Sequence, residues 1–343
     1  MDGYRVGVIG ATGAVGKVFL SLLEERRFPV RSLRLFASPR SAGQRIRVLG
    51  QEYLVEEVTP EALEGLDILF ISASGEVSRL WAPIAARAGV LVIDDSSAFR
   101  MDPTVPLVVP EVNGEDLASH RGIIAIPNCS TTALVMAVYP LHRVNPVRRI
   151  IVDTYQSVSG TGRAAMEELR EQSRALLDGR PYAPKVYPHP IAFNLFPHID
   201  AFLDNGYTRE EWKMVEETRK ILHAPDLPVS ATCVRVPVFI CHSEAVHLEL
   251  THPMSPEEAR EVLAAFPGVE VLDEPRAGRY PMPLWGEGKD AVYVGRIRRD
   301  ASHPRGLAMW VVSDNLRKGA ALNAIQIAEM ALQRNLFPTA GRR

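Results

Sequence analysis

Short apolar runs alternate with stretches of helical period through the first third of the chain. Residues 4–9 form a β-prone run, and residues 17–27 follow with Val18, Leu22 and Leu23 on one side and charge on the other. Residues 33–37, 67–72 and 90–94 repeat the short apolar run, and residues 77–88 have helical character. The runs at 67–72 and 90–94 are apolar nearly throughout, as strands buried on both faces should be. Residues 122–126 are extended and apolar and end at Pro127, where a longer helical apolar run begins. This alternation predicts an α/β fold with a doubly wound parallel sheet up to about Pro127.

The pattern then changes. Residues 149–156 alternate over a longer strand, and a glycine-rich turn leads into a charged helix at 164–177. Residues 181–197 are rich in proline and aromatics and read as a loop. Thr208 and Glu211 form a capping box that starts another helix. Further strands are expected within 233–244 and at 246–251, 291–298 and 306–313. Several long strands in a row predict a second α+β domain with a mostly antiparallel sheet. A last helix at 320–334, with Leu322, Ile325 and Ala328 in its apolar stripe, is expected to return to the first domain. The expected domains are therefore 1–127 with 315–343, and 128–314.

Bulk properties narrow the function. At 343 residues the chain is too long for one ordinary core. With 46% apolar and 23% charged residues and a net charge of -2, it has no basic stripe for nucleic acid. Three cysteines, none in a CxxC pair, argue for a reducing, cytoplasmic setting and against a disulfide framework. The first residues lack signal-peptide order, and no uncharged apolar run approaches the ~20 residues that span a bilayer. No metal and no membrane partner are expected.

Candidate chemistry begins at Gly10, Gly13 and Gly16, a G-x-x-G-x-x-G turn between a strand and a helix. Glycines there let the backbone approach a pyrophosphate seated on the helix N-terminus. Thr12 adds a hydroxyl. After the second strand, Arg40 lies between Ser38 and Ser41 with no acid to grip a ribose diol. A guanidinium and hydroxyls suit a 2′-phosphate, which predicts NADP rather than NAD. Arg100 leaves a later strand end among hydroxyls and suits either an anion ligand or a surface position.

Cys129 sits where Ile126-Pro127-Asn128 hands over to a helix. Orphan N–H groups and the helix dipole there favour a thiolate and offer donors to an oxyanion. A small buried hydrophobe is the competing reading. Cys241 and His242 would face opposite sides of a strand, so His242 is taken as the chemical residue and Cys241 as packing. Arg235 and His242, seven apart, would also face apart on one regular strand. Sharing a pocket therefore requires a bulge or turn between them. Gln156, at a strand end, suits either alignment of a carboxylate or the capping of a ladder. Glu210 and Lys213 share a helix face, as a plain surface ion pair also would. Asn315 starts the last helical segment, within reach of a nicotinamide.

Gly-Ala-Thr-Gly at 10–13, Ser-x-Arg-Ser-Ala-Gly at 38–43, Pro-Asn-Cys-Ser-Thr-Thr at 127–132 and Arg235-Val-Pro-Val with His242 together resemble the aspartate-β-semialdehyde dehydrogenase family. The resemblance runs over essentially the whole chain. It implies a Rossmann-type first domain and a homodimer. It also implies NADPH-dependent reduction of L-aspartyl-4-phosphate to the semialdehyde, on the route to lysine or diaminopimelate, threonine and methionine. On matching motifs, Cys129 would be the nucleophile and His242 the acid/base. Gln156 and Arg235 would hold the substrate, Glu210 its amino group, and Arg100 and Lys213 the phosphate. Gly10, Thr12, Gly13, Ala14, Val15, Arg40, Ser41, Ser159, Gly160 and Asn315 would contact NADP. Two residues depart from the family pattern: Asp95 where asparagine is usual, and Gln44 where lysine is usual. N-acetyl-γ-glutamyl-phosphate reductase is the nearest rival. A CoA-thioester reductase and a non-enzymatic NADP-binding thiol sensor are more distant ones.

Overall fold

Runs such as Ile68-Leu69-Phe70-Ile71 are apolar on both faces because each face meets its own layer of helices. In the computed structural model, which describes residues 3–337, Ile68 and Phe70 join one core cluster and Leu69 and Ile71 the other. Two units are present: the described residues of Met1–Asn128 with those of Ala320–Arg343, and Cys129–Gly319. The expected 315–343 segment runs past the described residues at 338–343, as the expected first domain does at 1–2.

The first unit runs β1 (Tyr4–Ile9), α1 (Ala14–Glu25), β2 (Val30–Phe36), β3 (Arg45–Val48), β4 (Gln51–Glu56), α2 (Pro60–Leu63), β5 (Ile68–Ile71), α3 (Gly75–Arg87), β6 (Leu91–Asp94), α4 (Pro110–Asn113) and β7 (Ile123–Ala125). The strand order is β3-β4-β2-β1-β5-β6-β7. Every pairing is parallel except the β3–β4 hairpin. The chain leaves β1 for β2 on one side and returns as β5 on the other. That reversal opens a crevice at the carboxyl ends of β1 and β5, the usual ligand position in such sheets.

The second unit runs α5 (Cys129–Val144), β8 (Val147–Gln156), α6 (Arg163–Leu177), α7 (Arg209–Ile221), β9 (Val229–Arg235), β10 (His242–Leu250), α8 (Pro256–Ala264), β11 (Val269–Val271), α9 (Pro283–Gly286), β12 (Val292–Arg299) and β13 (Gly306–Ser313). Its strand order is β11-β12-β13-β10-β8-β9, with three antiparallel pairings inside and a parallel one at each edge. Ile150, Val152, Thr154 and Gln156 of β8 are buried, whereas the residues between them are not. Helix α5 packs on β8, β10, β12 and β13 and on α7 and α8. It is buried almost all round, from Ser130 to Val138.

A π-helical turn, Arg317–Ala321, precedes α10 (Leu322–Gln333). The long helix expected at 320–334 is thus wound differently in its first residues. Leu322, Ile325 and Ala328 of α10 lie in the first unit's core with Phe19, Leu22, Leu23 and Ile93. Among the described residues no helix is long and apolar enough to cross a membrane.

Candidate active site

One face of the second unit's sheet carries a row of polar side chains at one end. The register pairs Gln156 with Arg235 and His242 with Ser313. Ser243 pairs with Tyr155, so His242 stands one step further on, level with Gln156. Arg235, Gln156, His242 and Ser313 therefore line up across four strands and are all buried. Arg235 and His242 need no bulge within a strand. They belong to β9 and β10, on either side of β8, and the connection 236–241 resets the alternation. It ends at Cys241 with φ +73°, which turns that thiol away from the imidazole beside it. The Cys241 sulfur lies against Gly286, and burial pushes its thiol pKa up.

Gly160 sits between the two cationic-capable groups. A Cβ built there would lie 3.2 Å from His242 Nε2 and 3.4 Å from Arg235 Nη1. Arg235 Nη1 donates to the Ser157 carbonyl at 2.8 Å. His242 Nδ1 accepts from the Ser157 main-chain N–H at 3.0 Å. Burial, then the nearby Arg235 charge, lower the His242 pKa to about 3, against weaker opposition from Glu210 and the Cys241 backbone. Ser159 Oγ donates to Asn315 Oδ1 at 3.0 Å.

A second polar chain runs through the same unit. Gln156 Nε2 donates to Ser130 Oγ and, at 3.0 Å, to Glu210 Oε1. Lys213 Nζ donates to Glu210 at 3.1 Å and to Asp200 at 2.9 Å. Burial works against the Lys213 charge, but the two carboxylates outweigh it and raise its pKa. With Glu210 only 6% exposed, the network is anchored on a buried carboxylate, with Lys213 partly buried and Asp200 at the surface. Asp200 and Ser157 were not singled out by sequence, and Ser130 was read only as part of the motif at 127–132. Ser157 had a weak signal in its glycine-rich turn, and Asp200 had none.

Cys129 is the first residue of α5 and is partly exposed, whereas Cys233 and Cys241 are fully buried. The extended segment 126–128 cannot continue as helix through Pro127, so the helix starts at the cysteine. Gly319, in the π-helical turn, comes close enough that a Cβ there would lie 2.8 Å from Cys129 Cβ.

In the first unit, Gly10 has φ +91°, and a Cβ on it would collide with the Ser72 carbonyl. Only glycine permits this approach of the β1 and β5 ends. Gly13 is the N-cap of α1 and no side chain caps it, so the first-turn N–H groups at Ala14 and Val15 face the turn. Thr12 lies in that turn, and Val15, Gly16, Ser72 and Asp95 line a narrow cleft beside it. Arg40 and Ser41 lie in the exposed turn after β2. Arg100 is buried and donates to the Asp95 carbonyl at 2.8 Å. Burial raises the Asp95 pKa to about 7, opposed by Arg100 and the Ser72 hydroxyl. No group of three His, Cys, Asp or Glu side chains among the described residues is placed to hold a metal.

Comparison with known proteins gives a consistent result. The family model "Semialdehyde dehydrogenase, NAD binding domain" matches residues 5–120, and "Semialdehyde dehydrogenase, dimerisation domain" matches residues 138–318. Cys129 falls in the interval that neither covers. The chain is 54% identical over 340 residues to an aspartate-semialdehyde dehydrogenase of Aquifex aeolicus, covering 98% of this chain and all of that one. It is 48% identical to the Bacillus subtilis protein of the same name, covering 97% and 99%. A crystal structure of aspartate semialdehyde dehydrogenase II complexed with ASA from Vibrio cholerae superposes with a TM-score of 0.94 at 47% identity, covering 97% and 99%. The Candida albicans enzyme with NADP gives 0.76 at 27% identity, covering 98% and 100%.

Proposed function

Because the chain belongs to the aspartate-semialdehyde dehydrogenase family, we propose that it is the NADP-dependent enzyme that reduces L-aspartyl-4-phosphate to L-aspartate-4-semialdehyde in amino-acid biosynthesis. The observation that carries this reading is the state of the three thiols. Cys129 alone is accessible, and it begins a buried helix in the unit that holds His242, Arg235 and Gln156.

The Cys129 thiolate attacks the acyl carbon, phosphate leaves, and a thioester results. A bound nicotinamide cofactor supplies the hydride that reduces this thioester. The thiohemiacetal oxyanion then collapses, releasing the aldehyde and regenerating the thiolate. Arg235 is the cation for the substrate α-carboxylate, with Gln156 beside it. Glu210, an acceptor in a buried network, pairs with the substrate ammonium. Lys213 and Arg100 are the anion ligands assigned to the phosphate.

The residues present fit a dinucleotide. The uncapped start of α1, the close approach at Gly10 and the cleft along Val15 and Ser72 suit a pyrophosphate at a helix N-terminus. Gly10, Thr12, Gly13, Ala14 and Val15 are assigned to that group, Arg40 and Ser41 to the 2′-phosphate, and Ser159, Gly160 and Asn315 to the nicotinamide side. The exposed sheet face bearing Tyr155, Ala245 and Trp310 is assigned to a second copy of the chain, in keeping with the dimerisation domain it lies in. Three free thiols agree with a reducing compartment such as the cytoplasm.

The decisive assay is phosphate- and NADP-dependent oxidation of aspartate semialdehyde by the purified protein. Cys129→Ala is expected to abolish it and leave NADP binding nearly intact. Retained turnover would exclude the covalent route. Glu210 favours a substrate with a free amino group over an N-acetylated acyl phosphate, and comparing the two compounds checks this.

A further inference from the structure

Few bonds fix the plane of the Arg235 guanidinium. Its Nη1 donates to the Ser157 carbonyl at 2.8 Å, while its buried Nε has no hydrogen-bond partner. One such bond leaves the fork free to swing about the last torsions of the side chain. A carboxylate is gripped by two parallel N–H groups only when that plane is set. A second restraint is present. The Arg235 Cζ lies over the ring of Tyr187, 5.8 Å from its centroid, within the reach of a cation–π contact.

Tyr187 belongs to the irregular segment between α6 and α7, yet its ring is fixed from several sides. Its hydroxyl donates to Thr161 Oγ1 at 2.9 Å. Its ring meets Phe196 edge-on, with centroids 5.5 Å apart. Phe196 in turn exchanges two main-chain hydrogen bonds with Arg235, so ring and guanidinium are referred to the same stretch of backbone. Two buried residues of α6 hold the segment down. Glu168 accepts from the main-chain N–H groups of Lys185 and Val186, and Gln172 from those of Ile191 and Ala192. Loop N–H groups on both sides of Tyr187 are thereby satisfied.

We infer that Tyr187 is a positioning residue for substrate binding: its ring face holds the Arg235 guanidinium in the plane that receives the α-carboxylate. This rests on the assignment of that carboxylate to Arg235. A ring attracts the cation without competing for it, because it takes none of the N–H donors that the substrate needs. An acid in the same place would neutralise the arginine and occupy the fork. Tyr187 also packs against the apolar cluster of Val158, Ala165, Leu169 and Ile191. A packing role alone makes any apolar ring of the same shape equivalent, whereas the cation–π role makes the electron density of the ring matter.

Steady-state oxidation of the semialdehyde by the intact enzyme, with phosphate and NADP, tests this. Tyr187→Leu keeps an apolar side chain and removes the π face. It is expected to raise KM for the semialdehyde about 5- to 30-fold. The kcat and the KM values for phosphate and NADP should stay within about 2-fold of the wild type. Tyr187→Phe keeps the face and should stay within about 3-fold. A native KM in Tyr187→Leu, equal losses in the two variants, or a loss spread over kcat and all three KM values would overturn the inference. Phenylalanines carrying one to three ring fluorines, inserted at position 187, keep the packing and drain the ring face, so they answer the question even where the leucine variant does not fold. KM for the semialdehyde should climb with each fluorine, and a flat series would refute the role of the ring. Arg235→Leu separates the two premises. It should raise KM itself and abolish the fluorine dependence. A native KM in Arg235→Leu would refute the carboxylate role of Arg235 and this inference with it, whereas a raised KM there beside a flat fluorine series would remove Tyr187 alone.

Discussion

Replacing Gly319 with alanine should disable the nucleophile without touching it chemically. A Cβ at position 319 would lie 2.8 Å from Cys129 Cβ and 3.2 Å from its Cα. Carbon atoms pack at about 3.5 Å or more, so the added methyl needs roughly 0.7 Å of movement. Neither neighbouring atom is the free end of a flexible side chain. Helix α5 is buried from Ser130 to Val138, so it resists displacement. The strain falls on the π-helical turn Arg317–Ala321 and on the cysteine itself. Overpacking of this kind costs about 1–3 kcal/mol of stability. A reacting atom misplaced by nearly 1 Å loses on the order of 10²-fold in rate. Gly319→Ala should therefore fold, by circular dichroism, yet lose roughly 10- to 100-fold in kcat for semialdehyde oxidation. The alkylation rate of Cys129 should change in parallel. A variant with native kcat and native alkylation would show that the close approach has no role in placing the sulfur.

Three other outcomes are expected. The Asp95 pKa is raised from 3.8 to about 7, so the native state holds its proton where the unfolded chain has lost it, and stability falls as pH rises through that window. Asp95→Asn should accordingly melt higher than the wild type at about pH 8, with the gap shrinking towards pH 4; a gap independent of pH would contradict this. The His242 pKa is lowered to about 3, so the unfolded chain takes up a proton first as pH falls below 6.5, and stability is lost between those values at up to ~1.4 kcal/mol per pH unit. Denaturant titrations of His242→Gln should show a flatter acid limb. Arg40→Ala should raise KM for NADP by about 10-fold or more and leave KM for NAD unchanged, since a charge-assisted phosphate contact is worth about 1.5–3 kcal/mol. Equal changes for both cofactors would place the 2′-phosphate elsewhere.

Parts of this molecule were legible without coordinates because they are local. Apolar runs of four or five residues read directly as strands buried on both sides. Proline followed by cysteine and hydroxyl residues marked the start of α5. The hairpin Arg45–Glu56 was not read from the sequence: Ile46, Val48, Tyr53 and Val55 pack on the core while Arg45, Arg47, Gln51 and Glu52 are exposed, an alternation with only two inward residues per strand. Parity along the chain required a bulge or turn between Arg235 and His242, and the connection 236–241 between β9 and β10 is that turn. The two are brought to one face by β8, which lies between them and pairs parallel with one and antiparallel with the other.

Residue order and spacing were enough to set out which segments become strands and helices, where a dinucleotide phosphate can rest, and which cysteine begins a helix. Each of these depends on neighbours within a turn or two. The tertiary structure alone decided that Glu210 is buried and joined to Lys213 and through it to Asp200, that Gly319 abuts the nucleophile, and that the Ser157 N–H meets the His242 ring. Most of those contacts join groups far apart along the chain, up to nearly two hundred residues for Gly319 and Cys129, and only packing brings them within a few ångströms.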